Sequence, residues 1–177
     1  KVRVMQNPVA LGTFQAVGAN AVPMAFSELF TALETKAVDG QENPFTTILS
    51  SKFYEVQKYL TVTNHMYSPW IVLVSKKWWD TLSADEQKIL KDAAIASRAF
   101  EREDTRAQSK KALEDLKTAG MDIAVLPESE IAKFREKSKT VADSVIASIG
   151  QPLWDEVQAE IAKGIVASEK QQGKVPV

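Results

Sequence analysis

The residue whose type and placement carry most chemistry is Arg3. It sits in the run Lys1-Val2-Arg3-Val4-Met5, whose alternation puts Val2 and Val4 on one face of an extended segment and the guanidinium on the other. An arginine so placed either pairs with an internal carboxylate or receives one from a ligand, because its planar fork matches a carboxylate in two parallel hydrogen bonds. Taken alone, the residue favours the internal pair. The second group is Asp39-Gly40-Gln41-Glu42-Asn43-Pro44, a turn followed by a proline that forces Asn43 out of the helical region and so gives its amide a fixed direction.

Catalytic chemistry finds little support. His65 has no Ser-Asp pattern near it, and there is no G-x-S-x-G elbow, Walker A loop or G-x-G-x-x-G. It reads as a hydrogen-bonded structural histidine at a strand end. Glu28, Glu34, Asp39 and Glu42 are the carboxylates available for an acid-base pair, but Glu28 and Glu34 fall on helical positions where solvation is the ordinary explanation. Trp78 and Trp79 directly precede a helix start, so at most one of them lines a site, and packing explains both.

Composition narrows the classes further. The 177 residues are 45% hydrophobic and 25% charged, which is globular. With 22 basic and 23 acidic residues the formal charge is -1, and no segment is basic enough to bind nucleic acid by counterion release. Zero cysteines exclude disulfides, thiolate zinc sites and cysteine nucleophiles, and one histidine is too few for a metal cluster. No cofactor is expected. No stretch reaches the ~18 apolar residues that span a bilayer, and residues 1–5 do not open a signal peptide, so an export signal is expected outside this chain.

These groups need elements to hold them. Asn7-Pro8 offers an N-cap and first-turn proline for a helix through Leu11, Phe14 and Val17, stopped at Gly18. Asn20 to Met24 follows as a strand, and Ser27 is expected to cap a helix bearing Leu29, Phe30 and Leu33. This β-α-β-α beat predicts an α/β fold. Phe53 to Leu60 mixes helix and strand signals, and Thr61 to Thr63 favours a strand. Trp70-Ile71-Val72-Leu73-Val74 is a continuous apolar run that predicts a core strand buried on both faces.

Ser83-Ala84-Asp85-Glu86 is a capping box, and no proline or glycine interrupts the chain from there to Ala119, a span of ~54 Å as one helix. Its middle, Glu101 to Lys111, is almost wholly polar, as in a helix bridging two packed bodies. A helix-loop-helix hairpin tipped near Glu103 to Gln108 is the alternative. Met121 to Leu126 predicts a strand ended by Pro127, Ser129 to Ile149 an amphipathic helix, Trp154 to Ala167 a last helix, and Gln171 to Val177 a frayed polar tail.

The runs Arg3-Val4-Met5, Gly18 to Glu28 (with Val22-Pro23-Met24-Ala25-Phe26), Thr31 to Thr35, Val38 to Pro44, Phe53 to Leu60 and Thr63-Asn64-His65 closely resemble one family. It is the substrate-binding subunit of tripartite ATP-independent periplasmic (TRAP) transporters, of the dicarboxylate-binding type. The motifs are dense and in order through His65; beyond Trp70 the similarity rests on pattern. Where the family often has Asn-Pro, this chain has Asn20-Ala21, a change that should affect a turn and not the site.

The resemblance implies a two-lobe periplasmic solute-binding fold with hinge strands and a long interdomain helix, here lacking much of the first lobe. On that reading residues 1–67 belong to the second, ligand-binding lobe. Residues 68–106 cross the hinge into the first lobe and the long helix, and residues 107–177 return. The resemblance also implies roles: Arg3 clamps a ligand carboxylate, Asn43 hydrogen-bonds the same group and Phe26 packs against the ligand, while Asn7 and Tyr67 lie near positions that vary with ligand.

The expected activity is that of a periplasmic, monomeric, non-enzymatic receptor. It binds a small organic acid, a C4-dicarboxylate or a sugar acid, by hinge closure and delivers it to TRAP membrane permease subunits. A cleft enzyme acting on a carboxylate, a lyase or hydrolase, is the alternative, but it lacks a nucleophile, a metal set and a convincing base. A helical interaction module accounts for the long helix but not for the Asp39 to Pro44 cluster.

Overall fold

A computed structural model describes residues 1–67 and 69–171, with side chains described through residue 164. Strand β1 (Val2–Val4) is the middle of a three-stranded parallel sheet, flanked by β2 (Ala21–Pro23) and β3 (Gly40–Gln41) in the order β2-β1-β3. Parallel neighbours need crossovers, and helices supply them. Helix α1 (Pro8–Ala16) starts as its sequence predicts: Asn7 Oδ1 accepts from the amides of Val9 (2.8 Å) and Ala10 (3.3 Å), and Pro8 occupies the first turn. Gly18, at φ 89°, takes the left-handed backbone that closes the helix.

Helix α2 (Leu29–Glu34) departs from expectation at its start. Ser27 lies inside a single 3-10 turn, Phe26–Glu28, that runs into α2, and no side chain caps either element. The extended residue that precedes the turn is Ala25, so the helical path begins before Ser27 and leaves it no cap to make.

A second, two-stranded parallel sheet joins β4 (Tyr59–Val62) to β5 (Asp122–Val125) in the register Tyr59 to Asp122 through Val62 to Val125. One apolar cluster forms the core: Leu29, Leu33, Val38, Ile48, Phe53, Leu60, Leu116 and Met121, with helix α3 (Phe45–Ser50) contributing Ile48. Leu60 and Leu116 are far apart in sequence, so the start and the middle of the chain share one apolar interior.

After α4 (Lys76–Trp79) comes one uninterrupted helix, α5 (Ala84–Thr118), of 35 residues and about 52 Å, so the hairpin alternative does not form. Its capping box is complete: Glu86 N donates to Ser83 Oγ at 3.3 Å, and Ser83 N donates to Glu86 Oε2 at 2.7 Å. Only the C-terminal end is buried, through Ala112 and Leu116, while Ile89, Ile95 and Phe100 are exposed. The polar middle is laced by i,i+4 contacts such as Gln108 to Asp104 and Lys111 to Asp115. Trp78 is half exposed, and Lys91 lies over the Trp79 ring, 5.4 Å from its centroid.

The expected core strand at Trp70–Val74 is not formed. These residues are irregular, and Trp70 is 94% and Leu73 85% exposed. An apolar run becomes a strand only when a neighbour completes its ladder, and among the described residues none pairs with it.

Helix α6 (Glu128–Ile149) follows Pro127 and ends at Gly150, φ 86°. It packs on α1, where Gly12 leaves room for Val141 and Phe14 meets Phe134 edge-on at 6.3 Å. Helix α7 (Gln151–Gln171) starts three residues before the expected Trp154, because Trp154 N donates to Gly150 O (3.2 Å) and closes the first turn. The expected tail lies, from residue 172 on, outside the described residues.

Candidate ligand-binding site

Because β1, β2 and β3 run parallel, their carboxyl ends open on the same side, where ligands of open α/β sheets characteristically bind. Arg3 is in register with Val22 on one side and Gln41 on the other. Its side chain is only 2% exposed. Nε and Nη2 both donate to the carbonyl oxygen of Met24, at 3.0 and 2.8 Å, which fixes the plane of the guanidinium. Nη1 is buried without a partner. Burial lowers the Arg3 pKa, and the nearby negative charge of Glu42 works in the opposite direction. An arginine remains a cation under such opposing pressures.

The internal carboxylate pair that Arg3 suggests on its own does not form as a direct ion pair among the described residues. Its anchor is a main-chain carbonyl. That arrangement orients the fork without neutralising it, and an orphaned donor on a buried cation is the kind of group a ligand carboxylate satisfies.

Phe26 covers this group, its ring centroid 5.8 Å from Arg3 Cζ. The ring stands edge-on to the fully buried Phe53 at 5.9 Å and is itself about half exposed, so one face is anchored and the other is free. Asn43 lies in the coil between β3 and α3, and its Nδ2 donates to Gln41 Oε1 at 2.5 Å. Arg3, Phe26 and Asn43 are thus brought to one end of the sheet, with Gln41 linking Asn43 to the strand beside Arg3.

Glu42 turns elsewhere. Its Oε2 lies 3.4 Å from His65 Nε2, and both side chains are largely buried. His65 Nδ1 is 2.7 Å from Thr63 Oγ1, and the ring packs edge-on to Phe14 at 5.2 Å. The reading of His65 as a hydrogen-bonded residue just past a strand matches this geometry. Its pairing with Glu42 and the Gln41–Asn43 contact are additions of the structure. For Gln41 the two-residue strand β3 is too short to show alternation in the sequence, and for Glu42 and His65, distant in sequence, there was no signal either.

Asn7 and Tyr67 stand apart from this group. The Asn7 carbonyl oxygen is engaged in capping α1, and Tyr67 is 88% exposed in the coil after β4. Neither enters the polar contacts of Arg3 or Asn43. Among the described residues no group of histidine, aspartate and glutamate side chains could hold a metal ion, and no helix is long and apolar enough to cross a membrane.

Residues 1–148 match the family described as bacterial extracellular solute-binding protein, family 7. The chain belongs to that family. Among solved structures it is similar to a TRAP periplasmic solute-binding protein from Ochrobactrum anthropi, with 44% identity and a TM-score of 0.88 over 97% of this chain and 54% of the other. It is likewise similar to the sugar acid binding protein DctPAm from Advenella mimigardefordensis, solved with galactonate, at 48% identity and TM-score 0.77 over 97% of this chain and 53% of the other. The C4-dicarboxylate-binding periplasmic protein DctP of Rhodobacter capsulatus is 35% identical over 92% of this chain and 49% of its own length. The chain therefore spans about half the length of these relatives. All three are binding proteins by name.

Proposed function

We propose that this chain supplies the carboxylate-reading lobe of a periplasmic solute receptor, which binds a small organic acid and hands it to the membrane permease of a TRAP transporter. The observation that carries this reading is the buried Arg3 guanidinium, oriented by the Met24 carbonyl and left with an unpartnered Nη1. A desolvated carboxylate loses hydration worth several kcal/mol, and only donors already fixed in place offset that loss. Arg3 and the Asn43 amide are such donors. Phe26, half exposed and with its ring centroid 5.8 Å from Arg3 Cζ, packs against the ligand beside the guanidinium. Asn7 and Tyr67 stand apart from these donors, and we assign them only the positions at which the fit varies with ligand.

Residues 1–67 and the return from residue 107 form the second, ligand-binding lobe, and residues 68–106 cross into the first lobe, which closes over the ligand. The shared core of Leu60 and Leu116 supports the first part. The exposure of Trp70–Val74, Ile95 and Phe100 supports the second, since apolar residues at this density call for a covering surface. The receptor acts as a monomer, and a formal charge of -1 fits no nucleic-acid partner.

The relatives bind galactonate and C4-dicarboxylates, and the ligand proposed here is an organic acid of one of these kinds. Titration calorimetry of the full-length protein with D-galactonate, succinate and the uncharged sugar D-galactose tests this. Binding of one of the acids but not of galactose is expected. Binding of galactose as tight as that of the acids, or turnover of a bound acid, would overturn it.

A further inference from the structure

We propose that Gln41 is a positioning residue that sets which end of the Asn43 amide faces the Arg3 side of the site, and thereby the preference for a carboxylate. This rests on the receptor reading above. The terminal torsion of asparagine is broad and nearly two-fold, so an unrestrained amide presents its oxygen as readily as its nitrogen. Only the nitrogen end helps an anion; an oxygen there repels it.

Gln41 removes the ambiguity. It is the register partner of Arg3 on the adjacent parallel strand, so the two side chains leave the sheet on the same face. Gln41 Oε1 accepts from Asn43 Nδ2 at 2.5 Å, which turns the nitrogen toward Gln41, the register partner of Arg3 on β3. One N–H of Nδ2 is engaged by Gln41 and the second remains for a ligand.

The backbone supports the same geometry from both ends. Gly40 and Gln41 are held in β3 by their pairing to Val2 and Arg3, and Pro44, at φ -61° and ψ 151°, caps α3 directly after Asn43. Asn43 is thus suspended between two fixed points, and the torsion of its own side chain is the freedom that Gln41 restrains.

A double-mutant cycle in the full-length protein tests this, using Gln41→Leu, Asn43→Ala and the double variant, with D-galactonate as probe in calorimetry. Gln41→Leu is expected to weaken galactonate binding on the order of tenfold, and to have no further effect once Asn43 is alanine. In parallel, the Asn43 side-chain amide signal in nitrogen-proton spectra of the ligand-free protein is expected to shift in Gln41→Leu. An equal loss in the Asn43→Ala background, or an unmoved Asn43 signal, would overturn the proposal. If wild type binds no acid, the receptor reading fails by itself, while the Asn43 signal still decides what Gln41 does.

Discussion

Glu42 and His65 form a largely buried pair, 3.4 Å from Oε2 to Nε2, and the same Glu42 charge acts on the buried Arg3 guanidinium against the effect of its desolvation. The carboxylate therefore serves two partners without making a direct ion pair to the arginine. It compensates the cation while leaving Nη1 open.

Substituting Glu42→Gln keeps the shape and removes the charge. The ligand-free full-length protein is expected to lose roughly 1–3 kcal/mol of stability, because the buried Arg3 cation then lacks a compensating negative charge. A bound carboxylate restores that compensation, so the rise in Tm on saturation with ligand should be larger in Glu42→Gln than in wild type. Thermal melts with and without the acid measure both quantities; equal ligand-induced shifts would contradict the compensating role.

Gly12 is a helical position that glycine does not require. A Cβ built there meets the two Val141 methyl groups at 3.5 Å, ordinary van der Waals contact across α1 and α6. Gly12→Ala should therefore stabilise the protein by about 0.5–1 kcal/mol, through reduced backbone freedom in the unfolded chain and a filled contact. Urea denaturation reads this, and a loss of stability would show that α1 and α6 sit closer than described.

Helix α5 is buried at its C-terminal end alone among the described residues. Leu116 is fully buried and Ile89 is 66% exposed on the same helix. In this chain Leu116→Ala should cost about 2–5 kcal/mol, whereas Ile89→Ala should change stability by less than about 0.5 kcal/mol. Chemical denaturation of the two variants side by side tests the asymmetry; equal costs would mean that Ile89 is covered.

What could be read from the sequence follows the range of the interactions involved. The starts of α1 and α5 were legible because Asn7, Pro8, Ser83 and Glu86 act on amides within a turn of themselves. The Val2–Val4 strand and the polar middle of α5 were legible from periodicity. Ser27 misled because a serine before an apolar run can end up within a turn as well as at its start. Trp70–Val74 misled more deeply, since apolarity marks a wish to be covered and says nothing of what covers it. The position of Arg3 was visible, but its anchor on the Met24 carbonyl was not, because that contact depends on how β2 ends beside β1. The Glu42–His65 pair likewise exists only once β3 and the segment after β4 are placed together.

The central claim is that the Arg3 fork reads a carboxylate, and Arg3→Lys in the full-length protein tests it most directly. Lysine keeps the charge and the length but has no planar pair of donors, and it gives up the two bonds to the Met24 carbonyl that orient the group. Calorimetry with whichever acid wild type binds should show an affinity loss of about 3 kcal/mol or more, roughly a hundredfold, in a variant that still folds. An affinity within about twofold of wild type would contradict the account.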